Sequence, residues 1–267
     1  MCKVIGIWNI KGGEGKTTTA LNLGIGLAEK NKKILLVDID PQANLSSSLI
    51  REEMKKEDYK SMTDLFVPTP SIKVKDAIYK SIYNVDVIGC NLALTNAEIV
   101  VRSNPMINQN NILKNILNDV KDNYDFIIID CPPALNLLTM NMALSADIIL
   151  TTVSSDEWSF DGYTATAQNI KVINKNFGTN IKHKILFTKV TRTKVDKDTI
   201  NKIKAHSDWA LDTTIRNQPA VMKKGGESKI AVLAKEKKRK GQVVEDVGTD
   251  YRKLVEEILD KAERGDF

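Results

Sequence analysis

Residues 3–18 read Lys-Val-Ile-Gly-Ile-Trp-Asn-Ile-Lys-Gly-Gly-Glu-Gly-Lys-Thr-Thr. The apolar run Lys3 to Trp8 reads as a buried strand. The segment Thr17 to Glu29, with Leu21, Leu23, Ile25, Leu27 and Ala28, reads as a helix packed on a sheet. Between them, Gly12, Gly13 and Gly15 let the backbone curl so that N–H groups converge on phosphate oxygens. The helix amino terminus adds the positive end of its dipole. Lys16 is spaced to reach β and γ phosphates, and the Thr17 hydroxyl to ligate Mg²⁺. The general phosphate-loop pattern has a glycine where this chain has Ile10, and Lys11 opens the loop instead.

Outward from this loop the apolar runs continue. Lys33 to Asp38, Val85 to Ile88, Phe126 to Ile129, Ile148 to Val153 and Ile185 to Phe187 read as buried strands. Ile112 to Lys121, Leu135 to Ser145, Ala165 to Asn176 and Val244 to Ala262 read as helices. Continuous apolar strands alternating with helices predict an α/β fold: a mostly parallel twisted sheet flanked by helices on both faces. Ligands on such sheets bind at the carboxyl ends of the strands, where the motifs fall. Residues 1–267 fit a single domain. Arg51 to Lys60 reads as a charged surface excursion and Pro68 to Pro70 as a loop. The basic run Lys235 to Lys240 reads as a basic loop or an exposed helix end.

The net charge of +5 decides little, but its distribution is uneven. Lys171 to Lys204 holds ten Lys or Arg against Asp196 and Asp198. Lys223 to Lys240 holds eight against Glu227 and Glu236. That field suits either a solubilising surface or an acidic polymer such as DNA. Cys2, Cys90 and Cys131 are far apart and form no CxxC, which argues against disulfides and against zinc or iron–sulfur centres. The amino terminus enters a strand pattern at once, without a signal peptide, and no apolar run nears the roughly 20 residues that span a bilayer. A soluble, reduced, cytoplasmic protein is expected.

Lys11-Gly12-Gly13-Glu14-Gly15-Lys16-Thr17-Thr18 resembles the deviant Walker A motif of the ParA/MinD family of P-loop ATPases. Asp38-Ile39-Asp40-Pro41-Gln42-Ala43-Asn44 is similar to that family's DxDPQxN switch. Tyr124 to Pro133 is similar to its Walker B strand and following loop, Leu135 to Asp147 to the helix after it, and Ile215-Arg216-Asn217 to its late PRN loop. The resemblance implies ATP and Mg²⁺ as ligands, and phosphate contacts from Lys11 to Thr18. Lys16 would hold the phosphates in its own subunit, while Lys11 would reach the partner's nucleotide in a dimer. Thr17 would bind Mg²⁺ directly, Asp130 through water, and Asp40 would orient the attacking water or a magnesium-bound water, so Thr17, Asp40 and Asp130 are the implied metal residues. Lys11, Lys16 and Asp40 are thus the implied catalytic residues. Arg216 and Asn217 would approach the adenine, or Arg216 would serve DNA. Asp38 reads as a structural strand-end residue. Glu14 departs from the family's small or apolar residue. Beside a triphosphate it is expected to point to solvent or across a dimer interface, pairing with the other subunit's lysine.

Within that family, the acidic faces of the tail, carrying Glu256, Glu257, Asp260, Glu263 and Asp266, oppose a membrane role and favour a helix packed on the domain. The ParA/Soj partition group fits best, without its longer members' amino-terminal helix-turn-helix domain. That resemblance implies a homodimer when ATP-bound, non-specific DNA binding, a ParB-like centromere-binding partner, slow intrinsic ATPase turnover and nucleoid association. Arg192, Arg216, Lys189, Lys194, Lys223 and Lys224 are the candidate DNA contacts. Alternatives are a ParA-like positioning ATPase for a protein cargo and a MinD-like membrane-cycling ATPase.

Overall fold

The computed structural model describes residues 1–154, 157–191, 193–206, 209–218, 230–233, 237–239, 242–244 and 246–266. Eight strands form one sheet: β1 Lys3–Ile7, β2 Ile34–Asp38, β3 Ile78–Lys80, β4 Asp86–Ile88, β5 Phe126–Asp130, β6 Ile148–Ser154, β7 Lys182–Val190 and β8 Ala210–Arg216. Their order across the sheet is β3-β4-β2-β5-β1-β6-β7-β8. Every pairing is parallel except β3 with β4. The expected α/β architecture is therefore present.

The central strands bury both faces, and alternation sorts their side chains. Leu35, Val37, Ile127 and Ile129 join one core, with Leu113, Leu138 and Met142 of α5 Ile112–Asn118 and α6 Leu137–Ser145. Ile5, Ile7, Leu36 and Ile128 join the other, with Leu21 and Leu23 of α1 Lys16–Glu29 and Leu254 and Val255 of α9 Val247–Arg264. Gly6 lets α6 approach β1, because a Cβ there would fall 2.0 Å from the Met142 sulfur. Helix α1 lies between the sheet and α9. A Cβ at Gly24 would meet Leu36, and one at Gly26 would lie 2.5 Å from a Val255 methyl.

Short helices α2 Asn44–Leu49, α3 Met62–Leu65 and α4 Leu94–Arg102 fill the connections between β2 and β5, and α7 Glu157–Phe177 and α8 Lys194–His206 flank the later strands. Several boundaries differ from the sequence reading. Strand β7 and helix α7 are longer than their apolar kernels, and α5 stops at Asn118 before a separate 3-10 turn. The terminal helix starts at Val247, with Asp246 capping it by accepting from Thr249 N. The basic run is neither loop nor helix end where it is described: β9 Lys237–Arg239 pairs antiparallel with β10 Gln242–Val244. Helix α8, strand β8 and α4 carry too many polar residues for the apolar pattern to mark them. Among the described residues no helix is long and apolar enough to cross a membrane.

Candidate nucleotide site

Parallel register assembles the site. Ile7 of β1 and Asp38 of β2 both pair with Asp130 of β5, so three strand ends stop together. The loop after Ile7 then turns back over them into α1. Gly13 and Gly15 have φ of 78° and 85°, the left-handed region that glycine enters without strain. Gly15 caps α1, and no side chain caps the helix. Its first N–H groups lack intrahelical acceptors by helix geometry and face the loop, which makes a phosphate site.

The loop is braced from its own chain. Asn9 Nδ2 donates to Thr152 O (2.7 Å), and Asn9 Oδ1 accepts from Lys11 N (2.9 Å). Lys16 is buried, and its Nζ donates to Lys11 O at 3.1 Å. Burial lowers the Lys16 pKa, opposed by the nearby charge of Asp130 first and then by Cys131, Asp40 and Glu14. An ammonium held among carboxylates without bulk water is set for a polyanionic ligand.

Glu14 overturns its expectation. It points neither to solvent nor outward: the residue is 2% exposed, with Oε2 accepting from Ser154 N at 2.6 Å. Its Oε1 pairs with Nζ of Lys11 in the same chain at 3.2 Å, and Thr188 Oγ1 donates to its carbonyl at 2.9 Å. The physical reason is local. The end of β6 offers a backbone N–H to the carboxylate, and Thr188 of β7 offers a hydroxyl to the Glu14 carbonyl, so the residue is held from within its own chain.

Asp130 is fully buried, and neither of its oxygens completes a hydrogen bond. Burial drives its carboxyl well above the ordinary range, and the neighbouring Asp38 charge adds to this. The Thr17 hydroxyl and then, after the opposing Asp40 charge, the Lys16 ammonium pull the other way. An orphaned carboxylate facing a threonine hydroxyl fits a hydrated Mg²⁺ bound with nucleotide, and a cation reverses the balance that burial sets. Among the described residues no three acidic, histidine or cysteine side chains form a ready metal cage.

Asp38 has the structural part assigned to it. Its Oδ2 accepts from Ser46 N (2.9 Å) and Ser46 Oγ (2.7 Å), and its Oδ1 from Asp40 N (3.1 Å). Burial raises its pKa to about 6, against the pull of the Ser46 hydrogen bonds. These bonds pin both ends of the 38–46 loop. Cys90 tightens it further, with its N donating to Ser46 Oγ (3.0 Å) and its thiol to Asp40 O (2.9 Å). Asp40 is buried at the site, with Oδ1 accepting from Gln42 N at 3.0 Å. Sequence reasoning missed Asn9, Ser46, Cys90, Ser154 and Thr188. The one signal present was an asparagine closing a strand directly before the loop, a residue type that bonds its own backbone two residues on.

The late loop and the basic candidates are less gathered. Val190 and Arg216 are register partners that end neighbouring strands, with Lys189 just before Val190, and Asn217 N donates to Val190 O (2.8 Å). Lys189 is exposed, with φ of 52°. Asn217 is exposed. The Arg216 guanidinium is held by Asp250 of α9 through Nε–Oδ2 and Nη2–Oδ1, both 2.6 Å. Neither adenine nor DNA was needed to engage it, a structural part the sequence reading had not weighed. Arg192, Lys223 and Lys224 lie outside the described residues, as does the side chain of Lys194, the first residue of α8.

Comparison with known proteins agrees with this geometry. A family model described as an AAA domain matches residues 2–185. The chain is 38% identical over 181 residues to the sporulation initiation inhibitor protein Soj of Bacillus subtilis, covering 68% of this chain and 70% of that one. It is 32% identical over 219 residues to the chromosome-partitioning ATPase Soj of Treponema pallidum, covering 80% and 83%. In fold it is similar to a putative plasmid partition protein of Borrelia burgdorferi bound to AMPPNP, with a TM-score of 0.78, 23% identity, and 99% and 100% of the two chains covered.

Proposed function

Because this chain belongs to the ParA/Soj family of P-loop ATPases, we propose that it works as a DNA-partition switch, in which bound ATP closes a homodimer that holds DNA until hydrolysis releases it. The observation that carries the nucleotide half is the buried Lys16 at a helix terminus without a side-chain cap, near the buried Asp130, whose oxygens complete no hydrogen bond. Lys16 and the loop N–H groups bind and orient the phosphates. Thr17 would hold Mg²⁺ directly and Asp130 through water, and the ion would supply neutralisation of charge developing on the phosphates. Asp40, fixed through Asp38 and Ser46, orients the attacking water. Lys11 adds a cation to the partner's nucleotide, which couples hydrolysis to dimerisation. Intrinsic turnover is slow until a ParB-like partner completes the site.

Exposed apolar side chains support closure of two copies on this face. Leu92 and Leu135 follow the carboxyl ends of β4 and β5, and Ile99 lies on α4. Glu98 of α4 accepts from Leu137 N and Asn136 Nδ2, which sets α4 beside the Leu135 loop. The DNA half rests on the basic late region and on the names of the relatives. The contacts proposed are Arg192, Lys189, Lys194, Lys223, Lys224 and Arg216, acting on phosphates without reading sequence. The same dimer on a protein cargo is the runner-up. Membrane cycling is disfavoured because Tyr251, Leu254, Val255 and Ile258 of α9 are already buried against the domain.

The test is co-sedimentation with DNA and, separately, with anionic liposomes, each with and without ATP. ATP-dependent retention on DNA alone is the expected result; retention on liposomes alone overturns the reading. Arg192→Ala lowers DNA retention while ATP binding survives, and undiminished retention removes that residue from the surface. Asp40→Ala leaves the ATP dimer trapped on DNA, and normal turnover in it refutes the role of Asp40.

A further inference from the structure

We propose that Glu14 is a latch: it holds Lys11 inside its own subunit and thereby sets how readily the nucleotide-bound chain dimerises. The inference rests on the reading above that Lys11 reaches the partner's nucleotide.

A carboxylate inside a phosphate loop opposes its own ligand unless something holds it. Here the Ser154 N–H and the Lys11 ammonium do so, with Glu14 only 2% exposed. The backbone of Lys11 is fixed on both sides, its N–H on Asn9 Oδ1 and its carbonyl on Lys16 Nζ. The Lys11 side chain is 34% exposed, so it can stay paired with Glu14 or rotate outward.

A triphosphate across an interface presents more negative charge than the Glu14 carboxylate does. It therefore draws Lys11 off the latch more strongly than a diphosphate does. A closed dimer breaks two latches. Each separates a buried carboxylate from the Lys11 ammonium, which opposes closure. Glu14 thus suppresses dimers that lack the γ-phosphate and raises the concentration at which AMPPNP-bound chains pair. One partly exposed ion pair shifts an equilibrium about 1.5- to 5-fold, so two shift the dimer constant about 2- to 30-fold.

The experiment is sedimentation velocity on the full chain with Mg²⁺ and either AMPPNP or ADP. Wild type is compared with Glu14→Gln, Lys11→Ala and the double variant. Glutamine keeps an acceptor for Ser154 N and removes the charge. The dimer dissociation constant with AMPPNP is expected to fall about 2- to 30-fold in Glu14→Gln, with ADP dimers gaining in the same direction. No such shift is expected when Lys11 is already alanine. Glu14→Val gives the same sign and covers a glutamine variant that fails to fold.

Wild-type dimers with an unchanged or weakened constant in both Glu14 variants overturn the latch alone. So does an equal shift in the Lys11→Ala background, or a lowered Tm without any shift. A wild type that never dimerises with AMPPNP overturns the dimeric site itself and the latch with it.

Discussion

Arg216→Ala, set beside Arg216→Lys, separates a structural role from a DNA role for one guanidinium. In the structure Asp250 is 5% exposed and accepts the Arg216 backbone N–H at 3.0 Å and two guanidinium bonds at 2.6 Å. Removing the cation from a buried pair typically costs about 3–5 kcal/mol, because the remaining charge is stranded. Arg216 is 27% exposed, so water reaches Asp250 once the side chain is gone, and about 2–4 kcal/mol is the working figure. For a chain of this size that corresponds to a Tm lower by roughly 5–15 °C.

The loss propagates toward the nucleotide. Asp250 lies on α9, which packs on α1, the helix that the phosphate loop enters. The assay is thermal and urea unfolding of Arg216→Ala, Arg216→Lys, Asp250→Ala and the alanine pair, set beside DNA retention. A structural role predicts that lysine, which cannot form the two-pronged pair, loses nearly as much Tm as alanine. It also predicts a coupling of about 1–3 kcal/mol between the two sites. A DNA role predicts that lysine retains both Tm and DNA. An Arg216→Ala protein melting within a degree of wild type refutes the structural argument.

His183 predicts a pH effect. It is buried, hydrogen-bonded to Thr151 Oγ1 (2.8 Å) and set against Tyr163 and Trp209. Burial, then the charges of Lys171 and Lys184, lower its pKa from 6.5 to about 4. The unfolded chain therefore binds a proton that the native chain refuses. Stability contributed above pH 6.5 is lost as pH falls toward 4, by about 3 kcal/mol in full. Urea unfolding of His183→Gln should lack this component, and a wild-type pH slope in the variant refutes it. Ser46→Ala removes one bond to Asp38 and strands Cys90 N, at about 2–4 kcal/mol. ATP turnover should fall several-fold with it, because the Asp40 loop loosens; undiminished turnover argues against the pinning. Asp130→Asn should raise the Mg²⁺ concentration for half-maximal ATP binding about 10- to 100-fold. A Mg²⁺ titration followed by nucleotide fluorescence checks this, and an unshifted midpoint removes Asp130 from the metal site.

The order of strand, glycine loop, lysine, threonine and helix was readable because each step is local. Backbone curling, helix capping and apolar runs depend on neighbours a few residues away. The parallel sheet was readable for a related reason, since strands such as Ile34–Asp38 and Phe126–Asp130 are apolar on both faces. Helix α8 and strand β8 were not, because their polar, partly exposed residues carry too weak a pattern.

What only tertiary structure decided is pairing over long distances. Register across β2, β5 and β1 set Asp38 beside Asp130, 92 residues apart in the chain. Chain crossing put Ser154 and Thr188 under Glu14, and α9 brought Asp250 to Arg216. From the sequence Glu14 was a charge with nowhere to go but outward. The fold supplies a hydrogen-bond donor and a lysine within its reach, and a carboxylate so satisfied is stable when buried.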